Sequence, residues 1–231
     1  MPYFYLDYWY IVLVVPALLL AFWAQINVNT TFSRYSKVTA PSGMTGAESA
    51  RRVLEANGVV GVRIERISGN LTDHFDPKTN TIRLSESVYD ATTVSAVGVA
   101  AHEAGHAVQY AVGYSPMKLR AAIIPATNIG SQLAMPLVLL GLLLSSAMLV
   151  DIGIVAFSMS TLFQLVTLPV EFNASRRAVA TLEASCVSAT EVKGAKAVLR
   201  AAALTYVAAL AVSLASLLRL ILLFGGRNRR D

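Results

Sequence analysis

Three long apolar stretches constrain this chain more than any other feature of its sequence. They lie near residues 8–26, 131–170 and 203–224. At a rise of about 1.5 Å per residue, each is long enough as a helix to cross a hydrocarbon layer about 30 Å thick. Only 14% of the residues are charged, against roughly 25% in soluble domains. The sequence therefore predicts an integral membrane protein.

The middle stretch has about forty residues without Lys or Arg, twice the length that one crossing needs. We interpret it as two helices joined at Asp151-Ile152-Gly153, where a charge and a glycine separate two apolar blocks. The first stretch lacks the basic n-region and the cleavage site of a signal peptide, so we expect it to remain as an anchor. Four transmembrane helices result. Aromatic residues typical of a membrane interface precede the first: Tyr3, Tyr5, Tyr8, Trp9 and Tyr10.

The predicted fold class is mainly α, with about four transmembrane helices and a small α+β domain that contains a β-hairpin or short sheet. The segments expected are an N-terminal transmembrane helix (1–27), a water-facing domain (28–130), a transmembrane hairpin (131–170), a polar helical segment (171–202) and a last transmembrane helix with a basic tail (203–231). The water-facing domain is expected to contain a helix over 45–57 capped by Ser42 or Thr45 and stopped by Gly58, a strand over 61–68, a hairpin over 71–85 and a helix over 91–110.

The motif His102-Glu103-Ala-Gly-His106 lies in the last of these helices. Residues four apart share one face of a helix, so both imidazoles can reach one metal ion while Glu103 lies beside it. The chain has three histidines and one cysteine, Cys186, which excludes a disulfide framework and a cysteine-rich zinc site. A polar triplet that merely faces solvent is the alternative, but its neighbours are small and apolar, and burial of unpaired polar groups is costly.

A catalytic zinc site has three protein ligands, so one more donor is needed beyond the two histidines. Glu171 is the favoured candidate, because the predicted membrane hairpin returns the chain to the same face. Pro169 is expected to bend the backbone just before it. A carboxylate at a helix start, stabilised by the helix dipole, is the alternative role for Glu171. His74 offers an imidazole, but its place on a hairpin is equally compatible with exposure to solvent.

Several blocks of the sequence resemble the bacterial membrane-bound neutral zinc metallopeptidases of the YugP type. They cover most of the chain in order: Leu71–Pro77, Leu84-Ser85 with Val88-Tyr89, His102–Gln109, Pro169–Ala178 and Val198–Ala209. The resemblance implies a zinc protease with one Zn²⁺ per chain. The segment that begins at Glu171 also resembles the third-ligand segment of the HtpX-type membrane proteases. Ser175 stands where that group has an aspartate that would orient a motif histidine, and it could supply a weaker hydrogen bond.

The expected function is a membrane-bound endopeptidase that acts on membrane or membrane-proximal polypeptides, with Glu103 as general base. An extended substrate would add to the edge strand of the hairpin, with His74 near the cleft. Tyr206 is a candidate to stabilise the oxyanion, with ordinary packing as the alternative. A zinc-binding scaffold or chaperone without proteolytic activity is the competing class of function. An intact Glu103 favours catalysis, because a structural zinc site has no need of a base.

Positive charge predicts the orientation in the bacterial cell (inner) membrane. No Lys or Arg precedes Tyr8, whereas residues 28–130 contain ten, which predicts a cytoplasmic catalytic domain. The basic tail, Arg227, Arg229 and Arg230, would then lie outside, against the same rule. The net charge of +5 fits contact with anionic lipid and the cytosol, and we do not expect nucleic-acid binding.

Overall fold

The computed structural model describes residues 7–185 and 187–225. Within these ranges, four helices are long and apolar enough to cross a membrane, and one small sheet has three strands. The prediction of a mainly α membrane protein with four crossings and a short sheet is therefore confirmed. The predicted roles of Tyr3, Tyr5, Cys186 and the tail arginines at 227, 229 and 230 lie outside the described residues.

The chain forms two compact units, and the four long helices contribute to both. The membrane unit contains the described residues up to Ala24, Leu119–Leu168 and those from Thr205 onward; the motif unit contains Gln25–Lys118 and Pro169–Leu204. The helices are α1 (Val15–Tyr35, preceded by a π-helical turn, Tyr10–Val14), α2 (Gly46–Ala56), α3 (Glu86–Tyr89), α4 (Val94–Ala111), α5 (Ser115–Leu143), α6 (Ala147–Ala184) and α7 (Ala189–Phe224). The strands are β1 (Arg63–Ile67), β2 (His74–Asp76) and β3 (Thr81–Ser85).

In the membrane unit, the turn between α5 and α6 lies at residues 144–146. The predicted turn at Asp151-Ile152-Gly153 is therefore wrong. Ser145 adopts a φ of 52°, the left-handed conformation that commonly ends a helix. Gly153 instead lies inside α6, where an added Cβ would come within 2.6 Å of Val138 Cγ2 on α5. Gly153 therefore permits close packing of α5 and α6. The sequence around it does not show whether a glycine at this position has that role or forms a turn.

The start of α1 and the end of α7 meet in a buried ion pair. Arg219 donates from Nε and Nη2 to Asp7 Oδ2 at 2.8 and 2.6 Å, and its guanidinium lies 5.2 Å from the Tyr10 ring centroid. A charge that is buried among apolar helices needs such a partner. The contact brings the two ends of the bundle together, as an even number of crossings requires.

In the motif unit, β3 is the central strand of the sheet. It pairs in parallel with β1 and antiparallel with β2, so β2 is an edge strand. The predicted strand and hairpin are confirmed, although the hairpin strand β2 is only three residues long. The parallel pairing of β1 with β3 was not predicted, because alternation within a strand carries no information about its partner.

Thr45, one of the two predicted caps, is the residue just before α2, and it forms a capping box with Glu48. Helix α4 begins at Val94, three residues later than predicted. Thr39 and Thr93 form an antiparallel bridge, and Ala40 N–H donates to Thr92 O at 2.8 Å. The backbone before α4 is therefore extended rather than helical.

Small residues surround α4 on the sides that face its neighbours. An added Cβ at Gly98 would lie 3.2 Å from Ala195 on α7, and one at Gly105 would lie 2.5 Å from Ala174 O on α6. The buried core around α4 consists mainly of alanine and valine with a few larger residues: Val97, Ala100, Ala101, Ala104, Ala107, Val108, Ile82, Leu84, Ala178, Leu182 and Leu199. This close packing places the motif helix directly against α6.

Candidate metal centre

Helices α4 and α6 bring three metal-binding side chains together. His102 Nε2 lies 3.2 Å from Glu171 Oε2, and His106 Nε2 lies 3.5 Å from the same oxygen. The three donor atoms lie within 4.8 Å of one another. Glu171 is only 2% exposed, so its carboxylate is directed into the protein rather than into solvent.

These distances suit one zinc ion. Ligand atoms about 2.0 to 2.2 Å from a tetrahedral zinc lie roughly 3.3 to 3.6 Å apart, and the two measured separations, 3.2 and 3.5 Å, are close to that range. The donor set of two imidazoles and one carboxylate also matches a known class of catalytic zinc site. His102, His106 and Glu171 therefore fit the metal that the motif implies.

The other nitrogen of each imidazole has its own polar partner. His102 Nδ1 lies 3.1 Å from Ser175 Oγ, and His106 Nδ1 lies 3.0 Å from Gln109 Oε1. A metal-binding histidine usually has such a partner on the nitrogen that does not bind the metal. Both rings therefore direct Nε2 towards the shared carboxylate.

The electrostatics around His106 favour a positive charge. Burial by itself lowers the pKa of His106, but the hydrogen bond to Glu171 and the charges of Glu103 and Glu171 raise it above its ordinary value. In the metal-free chain these carboxylates stabilise a proton on the ring. The same negative charge would attract a metal cation to this position.

Helix α6 runs through the segment in which a bend was predicted. Leu168 and Pro169 lie inside α6, so the idea that Glu171 starts a helix is wrong, whereas the bend at Pro169 stays a prediction. Two side chains, one on α4 and one just after it, donate hydrogen bonds to backbone carbonyls of this turn. Gln109 Nε2 donates to Val170 O at 2.7 Å and Tyr114 Oη to Pro169 O at 3.5 Å. These bonds connect the turn that carries Glu171 to residues on and just after α4.

The close approach of α4 and α6 at Gly105 predicts the effect of one added methyl group. We expect Gly105→Ala to lower the free energy of unfolding by about 1 to 3 kcal/mol, because its Cβ would meet the Ala174 carbonyl and push the helices apart. Zinc affinity should fall as well, since Glu171 would move with α6. Thermal unfolding in detergent and competition with a chelator measure the two effects. Ala111→Ser, on the exposed end of α4, is the control, and equal stability of both variants would contradict this account.

Glu103 lies on the face of α4 that the edge strand covers. Its Oε2 accepts the Phe75 N–H at 3.0 Å, and the residue is 9% exposed. Asp73, just before β2, accepts the N–H and the hydroxyl of Ser85. Burial raises the pKa of Asp73, and the nearby Glu103 carboxylate raises it further. The edge strand therefore lies beside the carboxylate that the motif places next to the histidines.

Three other candidate residues have distinct positions. His74 is exposed on β2 with Nδ1 2.8 Å from Thr72 O, because alternation along the strand buries its neighbour Phe75 instead. It does not join the cluster of three donors. Tyr206 is half-buried on α7 in the membrane unit. Ser175 lies beside His102, as its place in the sequence suggested. The roles of His74 and Tyr206 stay predictions.

Sequence reasoning missed Gln109, although a signal was present. Gln109 follows His106 by three residues, so the two share one helix face. It is fully buried and bonds His106, Val170 and Asn173. A polar side chain at that spacing in an alanine-rich helix could have been recognised as a partner of the motif.

Comparison with known proteins agrees with this geometry. The family described as "Putative neutral zinc metallopeptidase" matches residues 10–225. The chain belongs to this family. It is 49% identical over 223 residues to the "Putative membrane protease YugP" of Bacillus subtilis (strain 168), an alignment that covers 96% of this chain and 98% of the relative. No solved structure matches the chain. The resemblance inferred from the sequence blocks is confirmed, and the protein is an integral membrane protein.

Proposed function

We propose that this protein is a zinc-dependent, membrane-bound endopeptidase that cleaves membrane or membrane-proximal polypeptides. The observation that carries the proposal is the convergence of His102 Nε2, His106 Nε2 and Glu171 Oε2, with the charge of Glu103 close enough to raise the pKa of His106. One zinc ion per chain would be held by His102, His106 and Glu171. When bound, zinc polarises the scissile carbonyl and lowers the pKa of a water towards about 7.

The chain itself supplies the proton transfer and the alignment of the substrate. Glu103 takes a proton from the attacking water as the new C–O bond forms at the carbonyl carbon. It delivers that proton to the amine nitrogen as the C–N bond breaks. Among the residues that the structure describes, β2 pairs with β3 alone, so an extended polypeptide can align along its other side.

A zinc-binding scaffold is the competing function, and the number of donors argues against it. A structural zinc site has four protein ligands, whereas a catalytic site has three. Among the described residues, the cluster contains three donors. Glu103 is not one of these donors, so its carboxylate is available for proton transfer.

Purified full-length protein in detergent tests the proposal directly. We expect one zinc per chain by metal analysis, and cleavage of a fluorescently labelled unfolded protein such as casein. A chelator should abolish cleavage, and added zinc should restore it. Zinc-loaded protein that cleaves no unfolded, membrane or juxtamembrane polypeptide would favour the scaffold function instead.

We also propose that the motif unit faces the cytoplasm, because residues 28–130 contain ten Lys and Arg residues, the first of them in the last turn of α1, whereas no Lys or Arg precedes Tyr8. In a Cys186→Ser background, Lys78→Cys on the exposed loop before β3 should resist impermeant thiol reagents in intact cells. It should react once the cells are lysed. Leu144→Cys, in the exposed turn at the far end of α5, should react in intact cells. The opposite pattern of labelling would reverse the topology.

A further inference from the structure

Gln109 has three polar contacts, and the nature of its partners determines which way its amide faces. The side chain is fully buried. Nε2 lies 2.7 Å from Val170 O and 3.0 Å from Asn173 Oδ1, and Oε1 lies 3.0 Å from His106 Nδ1. A backbone carbonyl can only accept a hydrogen bond. The amide nitrogen must therefore face Val170, and the amide oxygen must face His106.

Arg177 fixes the same polarity from a second direction. Its Nε lies 2.8 Å from Asn173 Oδ1, and a guanidinium can only donate. Asn173 therefore presents an oxygen to Arg177, and the same oxygen accepts from Gln109. If the Gln109 amide were flipped, its oxygen would face two acceptors at once.

The polarity of the Gln109 amide determines which nitrogen of His106 carries a hydrogen. Because Gln109 presents an acceptor, Nδ1 of His106 must carry a hydrogen, and in the neutral ring Nε2 then carries the lone pair. Nε2 is the atom directed at Glu171. We propose that Gln109, with its polarity set by Val170 O and by Asn173 and Arg177, is a positioning residue that holds His106 in its metal-binding tautomer. This inference rests on the proposed zinc site.

The two motif histidines differ in whether their hydrogen-bond partner fixes the tautomer of the ring. The partner of His102 is the hydroxyl of Ser175, which can donate or accept and so imposes no tautomer. Gln109 also joins α4 to the turn of α6 that carries Glu171, whereas Ser175 makes one bond. Loss of Gln109 should therefore harm metal binding more than loss of Ser175.

Zinc affinity of the full-length protein, measured by chelator competition, tests the proposal with matched variants. Gln109→Met keeps the length of the side chain and removes its polar atoms, and it should weaken zinc binding about 10- to 100-fold. Ser175→Ala should have a smaller effect, and Gln25→Met, at an exposed glutamine, none. Gln109→Glu keeps an oxygen for His106 but places its second oxygen against Val170 O and Asn173 Oδ1, which are both acceptors, so it should also bind zinc more weakly than wild type. A Gln109→Met affinity within about twofold of wild type, or a larger loss in Ser175→Ala, would overturn the proposal.

The tautomer itself is measurable, because the chain has three histidines. In long-range ¹H–¹⁵N spectra of the zinc-bound protein, His106 should show the Nδ1–H pattern in wild type. If Gln109→Met does not fold, the wild-type spectrum carries the test: an Nε2–H pattern at His106 would overturn the role of Gln109. Failure of wild type to bind zinc would instead reject the proposed site, and zinc binding without cleavage would reject only the catalytic function.

Discussion

Replacement of Glu103 by glutamine should leave the zinc content of the purified protein unchanged while lowering the rate of peptide hydrolysis at least about 10²-fold, the low end for loss of a general base. The amide has the size of the carboxylate but cannot accept the proton of the attacking water. Its oxygen can still accept the Phe75 N–H that now bonds Glu103 Oε2. The fold of the edge strand should therefore survive the change.

The measurement compares cleavage rates of wild type and Glu103→Gln at equal zinc loading. Asp76→Asn is a matched control, because it makes the same carboxylate-to-amide change on the same edge strand, where Asp76 pairs with Arg83 at 2.8 Å. This control should retain wild-type activity. If the metal-loaded Glu103→Gln chain hydrolyses peptide at the wild-type rate, the assignment of Glu103 as general base is wrong.

Replacement of Glu171 by alanine should abolish activity and reduce zinc affinity by more than the roughly 10- to 100-fold typical of residues that only support a ligand. Both histidine Nε2 atoms lie near Glu171 Oε2, so this change removes the negative charge that they share. His74→Ala should retain the metal, because His74 is exposed and bonded to the backbone of its own segment.

Zinc titration of Glu171→Ala, Glu171→Gln and His74→Ala distinguishes loss of a ligand from loss of packing. Glu171→Gln keeps the volume of this buried side chain, so a loss of zinc in both Glu171 variants assigns the effect to the carboxylate charge. Loss of zinc in His74→Ala with wild-type affinity in Glu171→Ala would replace Glu171 by His74 as the third ligand.

The predictions that succeeded depend on local rules. The apolar stretches specified four crossings through length alone. Of the two predicted caps of α2, Ser42 and Thr45, the structure has Thr45, in a local capping box with Glu48. The spacing of His102 and His106 placed both rings on one helix face. The hairpin of β2 and β3 followed from a turn-rich segment between two short strands.

The predictions that failed concern residues whose role depends on a distant partner. Gly153 was interpreted as a turn residue because its sequence does not reveal that Val138 packs against it. Glu171 was expected to start a polar helix after Pro169, but α6 continues through that turn, which Gln109 and Tyr114 contact. The extended backbone before α4 follows from a bridge to Thr39, which lies far from it along the chain.

The amino-acid sequence by itself determined the membrane crossings, the motif helix and the family, because hydrophobic length and helical periodicity act within one segment of chain. Only the tertiary structure decided that Glu171 joins the two histidines, and that Gln109 faces His106 with its oxygen. Those relations depend on the approach of α6 to α4 at Gly105, where the absence of a side chain lets Ala174 O come close. The physical reason is that a metal site needs its donor atoms placed to within a fraction of an ångström, and packing between helices sets that distance.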